Sequence, residues 1–403
     1  MSSIDNLVYF EDKKKSQNII PYKVLSEKNN KKKKGVVILG ATGSVGTSTL
    51  NVIRKHEDRL NLIGVAAYSN KKSLEAIVDE FEVESSVLFE RDGISELEKL
   101  AVHPDADIIV VATTGTVALR AVLLALAADK DVALANKETL VVGGHLVMAA
   151  EKMSAGRVFP LDSEHNAIFQ CLEGNKKKEN IKKLLLTASG GPFLNKPISE
   201  FKNITVEEAL CHPNWSMGKK ITIDSATMAN KGLEIIEACW LFDVNPSEIE
   251  VVVHPQSIVH SMVEFADNSI IAQMSKPSMT FAIQHILMYP DREEGVHESI
   301  DFSKVLELDF RPPNEEKFPC LRLAKESLIA GGFYPAAYNA ANEIAVAAFL
   351  KNEISFNGIP EIISKVLEHT NRELPSTYDD LMDAETDVLI ESEKIVRKSK
   401  FKI

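Results

Sequence analysis

Between Ile221 and Glu234 the chain reads ITIDSATMANKGLE, which places a hydroxyl, an amide, a cation and a carboxylate in one short segment. A helix starting near Ala226 puts Asn230, Lys231 and Glu234 on one face, because positions three and four apart stack, with Ser225 at the cap position before it. A second segment, Pro160-Leu161-Asp162-Ser163-Glu164-His165-Asn166, holds two carboxylates two residues apart. In extended backbone these point the same way. Asp162, Glu164 and Glu234 offer hard oxygens, which suit Mg²⁺ or Mn²⁺ and not zinc. With Lys231 and several hydroxyls they amount to a site for a divalent metal and a phosphorylated substrate. An Asp-x-Glu pair alone is more often solvated than metal-bound. This one gains weight by following the apolar run from Arg157 to Leu161, since α/β sites lie at the carboxyl ends of strands. His165 beside it is either a support for the ligands or purely structural.

Three further loops carry chemistry. Gly40-Ala41-Thr42-Gly43-Ser44-Val45-Gly46 follows an apolar run and opens a helical one. Its glycines permit a tight turn and let backbone N–H groups of Thr42, Gly43, Ser44 and Val45 approach a pyrophosphate. The spacing is GxxGxxG instead of GxGxxG, so the strict dinucleotide fingerprint is not met. Ser189-Gly190-Gly191 allows backbone to come close to a ligand, with a plain turn as the alternative. His212-Pro213-Asn214-Trp215-Ser216-Met217-Gly218 sets Trp215 and Met217 in a polar loop bounded by proline and glycine. That pattern fits a lid that excludes water, against the alternative of a buried core tryptophan. Gly232, in mid-helix, costs about 1 kcal/mol relative to Ala, which a close approach of substrate would justify.

The end of the second strand selects the cofactor. NAD-binding domains place an acid there to bond the ribose hydroxyls, whereas this chain has Tyr68-Ser69-Asn70-Lys71-Lys72. The missing acid and the two lysines favour NADP(H). Tyr68 and Lys72 also form YxxxK, which lies too close to the glycine loop for a short-chain dehydrogenase and is read as chance.

The elements that position these loops follow from periodicity. Val36–Leu39, Leu62–Ala67, Ile108–Ala112 and Val132–Ala135 are continuous apolar runs separated by helical stretches, the mark of buried parallel strands. Residues 34–156 therefore read as a doubly wound, Rossmann-like α/β domain for NADPH. Residues 157–290, with longer and partly alternating strands, read as an α+β catalytic domain that binds metal and substrate. A connection rich in proline and charge spans 291–318, and amphipathic helices make 319–403 a C-terminal helical domain. Residues 1–33 are polar, lack an apolar core for a targeting signal, and read as a solvated tail. At 403 residues two or three domains are expected. A net charge of −12 excludes nucleic acid as a natural partner, and no apolar run is long enough for a membrane span. The four cysteines stand far apart without metal spacing, as in a reducing, cytoplasmic compartment.

GATGSVG, LANKE, PLDSEHNAIFQ, ASGGPF, HPNWSMGKKITIDSATMANKGLE, HPQSIVHSM and NAANEIAVAAFL occur in this order. Together they resemble the 1-deoxy-D-xylulose 5-phosphate reductoisomerases, from about Lys34 to the C-terminal helices. The resemblance implies NADPH-dependent rearrangement and reduction of 1-deoxy-D-xylulose 5-phosphate to 2-C-methyl-D-erythritol 4-phosphate, a step toward isoprenoid precursors, in a homodimer that uses Mg²⁺ or Mn²⁺. It implies that Asn136, Glu138 and Gly218 contact NADPH along with Ser69 and Asn70. Family members often carry Gly-Lys-Asn where this chain has Tyr68-Ser69-Asn70, so Ser69 departs from the pattern and Asn70 matches it. Ser189, His212, Ser225, Asn230 and Lys231 are implied to hold the phosphate end of the substrate, and Lys137, Ser163 and Glu164 its reacting end. Catalysis then falls to Lys137, Asp162, Glu164, Lys231 and Glu234, with His260 nearby. A dehydrogenase of the aspartate-semialdehyde or homoserine type would share the first domain without needing three carboxylates. A non-catalytic NADPH-binding regulator would not keep all of these residues together.

Overall fold

A computed structural model describes residues 33–400 apart from 176, 216 and 372. The expected N-terminal tail, but for Lys33, lies outside the described residues. The described chain forms two interleaved compact units, one of residues 33–139, 145–180 and 278–301, the other of 140–144, 181–277 and 302–400.

The first unit alternates strand and helix: β1 (Lys34–Leu39), α1 (Ser44–Lys55), β2 (Leu60–Ala67), α2 (Lys71–Phe81), β3 (Ser85–Leu88), α3 (Phe89–Ala101), β4 (Ile108–Val111), α4 (Leu119–Ala127), β5 (Asp131–Leu134), the start of α5 (Lys137–Met153), β6 (Val158–Pro160) and α6 (Ser163–Cys171). Its strands make one parallel sheet in the order β3-β2-β1-β4-β5-β6. β4 is buried along its whole length, as a strand covered on both faces must be. The order reverses between β1 and β4, and because all strands run the same way, the segments that follow them gather along one edge. The expected division at residue 156 falls before β6, which the pairing of Val132 with Val158 joins to this same sheet.

The second unit begins with β7 (Ile181–Ala188), α7 (Val206–Ala209), α8 (Lys219–Thr227) and α9 (Ala229–Phe242), followed by β8 (Ile249–Val253), β9 (Val259–Phe265) and β10 (Ile270–Met274). The sheet is mixed, in the order β10-β9-β7-β8, with β7 and β8 parallel and the other pairings antiparallel. α10 (Thr280–Met288) returns to the first unit and packs against α1. The second unit then closes with α11 (Pro319–Ala330), α12 (Tyr334–Leu350), α13 (Gly358–Glu368) and α14 (Tyr378–Lys400). Phe193, Phe201, Phe318, Phe349 and Phe356 meet edge to face or tilted and fill its centre.

Two sequence expectations need correction. Ser225 does not cap a helix that begins at Ala226: it sits in the last turn of α8, and the left-handed Met228 (φ 59°) separates α8 from α9. The hydroxyl-rich run stays helical because Thr222 and Thr227 donate back to the carbonyls of Gly218 and Ile223 four residues earlier, instead of capping. Gly232 does not answer to a substrate. A Cβ there would lie 2.4 Å from the Cβ of Ala324, so glycine is what lets α9 and α11 approach. Helix propensity favours Gly232→Ala by about 1 kcal/mol, but overpacking typically costs about 1–3 kcal/mol and Ala324 has no flexible end to swing away. Gly232→Ala is therefore expected to lower the urea midpoint, and adding Ala324→Gly to raise it again. An unchanged or higher midpoint in the single variant would contradict this packing role.

Candidate active site

In the first unit the glycine loop leaves β1 through Gly40 (φ 97°), where a Cβ would strike the carbonyl of Ala112 at 2.4 Å. Gly46 is equally constrained, 2.3 Å from the Gly40 carbonyl, so the first turn of α1 packs directly on the loop. Gly43, the N-cap of α1, brings no side chain to the helix start. The N-terminal N–H groups and the positive end of the helix dipole are thus left to an anion. At the end of β2, Ser69 and Asn70 are exposed, and the Asn70 side chain caps α2 by accepting from the Ser73 N–H at 3.1 Å.

Asn136 follows β5 and caps α5. Its Oδ1 accepts from the Thr139 N–H (2.8 Å) and hydroxyl (2.6 Å), and its Nδ2 donates to the carbonyls of Thr113 (2.9 Å) and Gly115 (2.8 Å). Every donor and acceptor of this amide is therefore used to tie the loop after β4 to the start of α5. Glu138, in the first turn of α5, is half-buried.

Lys137 and Asp162 meet just beyond the ends of β5 and β6. Both are almost fully buried, and Nζ lies 2.7 Å from Oδ2. Asp162 is not half of an extended pair as expected: β6 ends at Pro160 and Asp162 caps α6, its Oδ1 accepting from the Ser163 N–H at 3.0 Å. Glu164 falls in the first turn, accepts from the Ser163 hydroxyl at 2.6 Å, and offers an oxygen within 4.8 Å of one of Asp162's. Burial alone would raise the pKa of Asp162, but the Lys137 ammonium and His165, 3.3 Å away, hold it far below the usual carboxylate range. His165, fully buried, thus supports this carboxylate.

In the second unit Asn230, Lys231 and Glu234 share one face of α9, as their spacing predicts. Lys231 donates to one carboxylate oxygen of Glu234 and Asn230 to the other, and Glu234 is fully buried. Ser189 follows β7. A Cβ on Gly191 would lie 2.8 Å from the carbonyl of Ser225, so this loop lies against the end of α8. His212 Nδ1 accepts from the N–H groups of Asn214 (3.1 Å) and Trp215 (3.0 Å), which places its proton on Nε2, 3.1 Å from the Ser189 hydroxyl. Burial lowers the His212 pKa and keeps the ring neutral. The Ser189 oxygen, which also accepts from the Gly191 N–H at 3.3 Å, retains its own proton to donate to an anion.

Besides the His212 contact with Ser189, the loop that carries Trp215 is held where Asn214 Nδ2 donates to the Pro255 carbonyl (2.6 Å) and the Ser257 hydroxyl (2.9 Å). Trp215 is half-buried, edge-on to His260, so it is not a core residue; Met217 is half-buried and Gly218 exposed. His260 itself is buried against the Ser275 hydroxyl at 2.9 Å. Burial pushes the thiols of Cys239 and Cys320 up to about 12, so neither supplies a thiolate.

Sequence reasoning missed Asp224, which is fully buried one residue before Ser225. It is pinned by Lys220 (2.9 Å) and by Asn342 of α12 (2.8 Å). The spacing of four from Lys220 was a local signal; Asn342, in the NAANE segment, had none. Asn342→Leu would leave a buried carboxylate oxygen without its donor. The expected loss is about 1–3 kcal/mol of unfolding free energy in urea, and an unaltered midpoint would show that Asp224 does not depend on this bond.

Comparison with known proteins matches residues 36–101 and 90–144 to the 1-deoxy-D-xylulose 5-phosphate reductoisomerase family, 158–242 to its C-terminal domain, and 274–389 to a further DXP reductoisomerase C-terminal domain. The reductoisomerase of Clostridium acetobutylicum is 48% identical over 83% of this chain and 92% of its own length. That of Thermoanaerobacter pseudethanolicus is 45% identical over 91% and 99%. Among solved structures, the Zymomonas mobilis reductoisomerase in complex with NADPH is 40% identical and superposes with a TM-score of 0.82. A DOX-P reductoisomerase in complex with NADPH, fosmidomycin and magnesium is 37% identical with a TM-score of 0.84. Each covers 91% of this chain and 99% of its own.

Proposed function

Since the chain belongs to the 1-deoxy-D-xylulose 5-phosphate reductoisomerase family, we propose that Lys137, Asp162, Glu164, Lys231 and Glu234 are its catalytic residues. The protein is an NADP-dependent, metal-dependent oxidoreductase that converts 1-deoxy-D-xylulose 5-phosphate to 2-C-methyl-D-erythritol 4-phosphate, toward isoprenoid precursors. The observation that carries the assignment of residues is a pair of buried contacts, Lys137 on Asp162 and Lys231 on Glu234. Each lysine supplies the positive charge that a buried carboxylate requires, which a dication would take over. The oxygen donors of these acids and of Glu164 are of the kind that suits Mg²⁺ or Mn²⁺.

Asp162, Glu164 and Glu234 would hold the cation, which would supply Lewis-acid stabilisation of negative charge on two neighbouring substrate oxygens. NADPH supplies the hydride. The chain does the rest by position. Ser189, Ser225, Asn230 and Lys231 bind the phosphate, with His212 fixing the direction in which the Ser189 proton points. Lys137, Ser163 and Glu164 orient the carbons whose bond is broken and remade. Trp215 and Met217 close over the substrate and exclude water. Thr42, Gly43, Ser44 and Val45 take the cofactor pyrophosphate, Ser69 and Asn70 its 2′-phosphate, and Glu138 and Gly218 the nicotinamide half. Asn136, its side chain fully engaged, serves through backbone and loop placement. A homodimer in the cytoplasm completes this reading, on the family resemblance. Among the described residues no helix is long and apolar enough to cross a membrane.

Glu234→Gln is expected to lose most activity while retaining fold and NADPH binding, with partial recovery at high Mg²⁺. Full turnover of the wild type after exhaustive dialysis against EDTA would refute the metal ligands. The cofactor loop gives a separate test, since Asn70→Asp keeps a good α2 cap but sets a carboxylate against the 2′-phosphate. Its thermal midpoint should hold while preference moves from NADPH toward NADH; equal efficiency of the wild type with both cofactors would contradict the assignment of this loop.

A further inference from the structure

Tyr68 stands at the carboxyl end of β2, where family members often carry glycine, and it is 66% exposed. Its ring stacks on Phe89, the first residue of α3, with centroids 5.5 Å apart and planes 22° from parallel. Phe89 is half-buried, and the Glu90 N–H donates to the Tyr68 carbonyl at 3.0 Å, so both ring and backbone of Tyr68 are held. β2 and β3 are parallel neighbours, which puts the pair on the edge that carries the glycine loop. A large aromatic left this open gains little from burial. One of its faces is occupied by Phe89, and on the other, a flat apolar surface, no ring stacks among the described residues.

In a doubly wound sheet the residues after β2 meet the adenosine ribose at its 2′ position. The adenine is attached to the neighbouring ribose carbon. An aromatic one residue before Ser69 and two before Asn70 therefore lies one ring's reach from the 2′-phosphate site. We propose that Tyr68, backed by Phe89, is a stacking platform for the adenine of NADPH and a determinant of cofactor affinity. This rests on the NADPH reading of the loop. Stacking needs only the faces of the two rings, so it adds affinity for the purine without reading the phosphate. The phenol oxygen stays in water at the rim.

The experiment measures dissociation constants by calorimetry for NADPH, adenosine 2′,5′-bisphosphate and reduced nicotinamide mononucleotide, on the full chain and its variants. Tyr68→Ala should weaken NADPH and the adenosine bisphosphate by on the order of ten-fold and leave the nicotinamide mononucleotide as in the wild type. Tyr68→Phe, which keeps the ring, should bind all three as the wild type does. Unchanged affinity of Tyr68→Ala for the adenosine bisphosphate overturns the platform, and so does an equal loss for both halves of the cofactor, which would mark a merely structural role. A wild-type protein without affinity for NADPH would overturn the cofactor reading itself.

Discussion

A carboxylate removed from water must be compensated, since the idealised cost of burying such an ion is on the order of 20 kcal/mol and remains several kcal/mol after relaxation. Among the acids this chain buries almost completely are Asp162, Asp224 and Glu234, and each of these three has its own answer. Asp162 has Lys137 and the N-terminus of α6; Glu234 has Lys231 and Asn230; Asp224 has Lys220 and Asn342. The positions of α5, α6, α8, α9 and α12 are tied to these contacts. Shifting any of those helices by a fraction of a turn would leave a charge unpaired, so the same interactions that make the acids tolerable also fix their geometry.

The first unit uses a parallel sheet to bring short, unrelated loops to one edge. The loop after β1 gives backbone donors, that after β2 gives polar and aromatic side chains, and those after β5 and β6 give the lysine and the acids. Asn136 ties the loop after β4 to the start of α5 with all four of its side-chain hydrogen bonds. Its value lies in what it holds in place.

The second unit arranges its polar groups around a helix break. Met228, in the left-handed region, turns the chain between α8, which carries Asp224 and Ser225, and α9, which carries Asn230, Lys231 and Glu234. Close packing at Gly232 and Ala324 presses α9 onto the C-terminal helices, whose α12 reaches back to Asp224. Helices remote in sequence from the polar residues thus set where those residues stand. The tryptophan loop is held less tightly, through His212 and Asn214, consistent with an element that moves.

Local order was legible in the sequence because it follows from short-range rules. Continuous apolar runs announced the parallel strands, the glycine spacing announced the turn into α1, and a three- and four-residue spacing put Asn230, Lys231 and Glu234 on one face. The same rules failed where two local options were close in energy. Ser225 was expected as a cap and Asp162 in extended backbone, whereas Ser225 is helical and Asp162 is a cap. What no local rule contains is the partner of a buried group. Lys137 on Asp162, Asn342 on Asp224, Ala324 against Gly232 and Phe89 beneath Tyr68 join residues far apart in the chain. The residue types alone determined that hard oxygens, lysines and hydroxyls suited to a phosphorylated substrate, and an NADP-type loop were available. Only the tertiary structure decided that Lys137 neutralises Asp162 and that Asn342 completes the shell of Asp224, because those partners meet only when the helices pack.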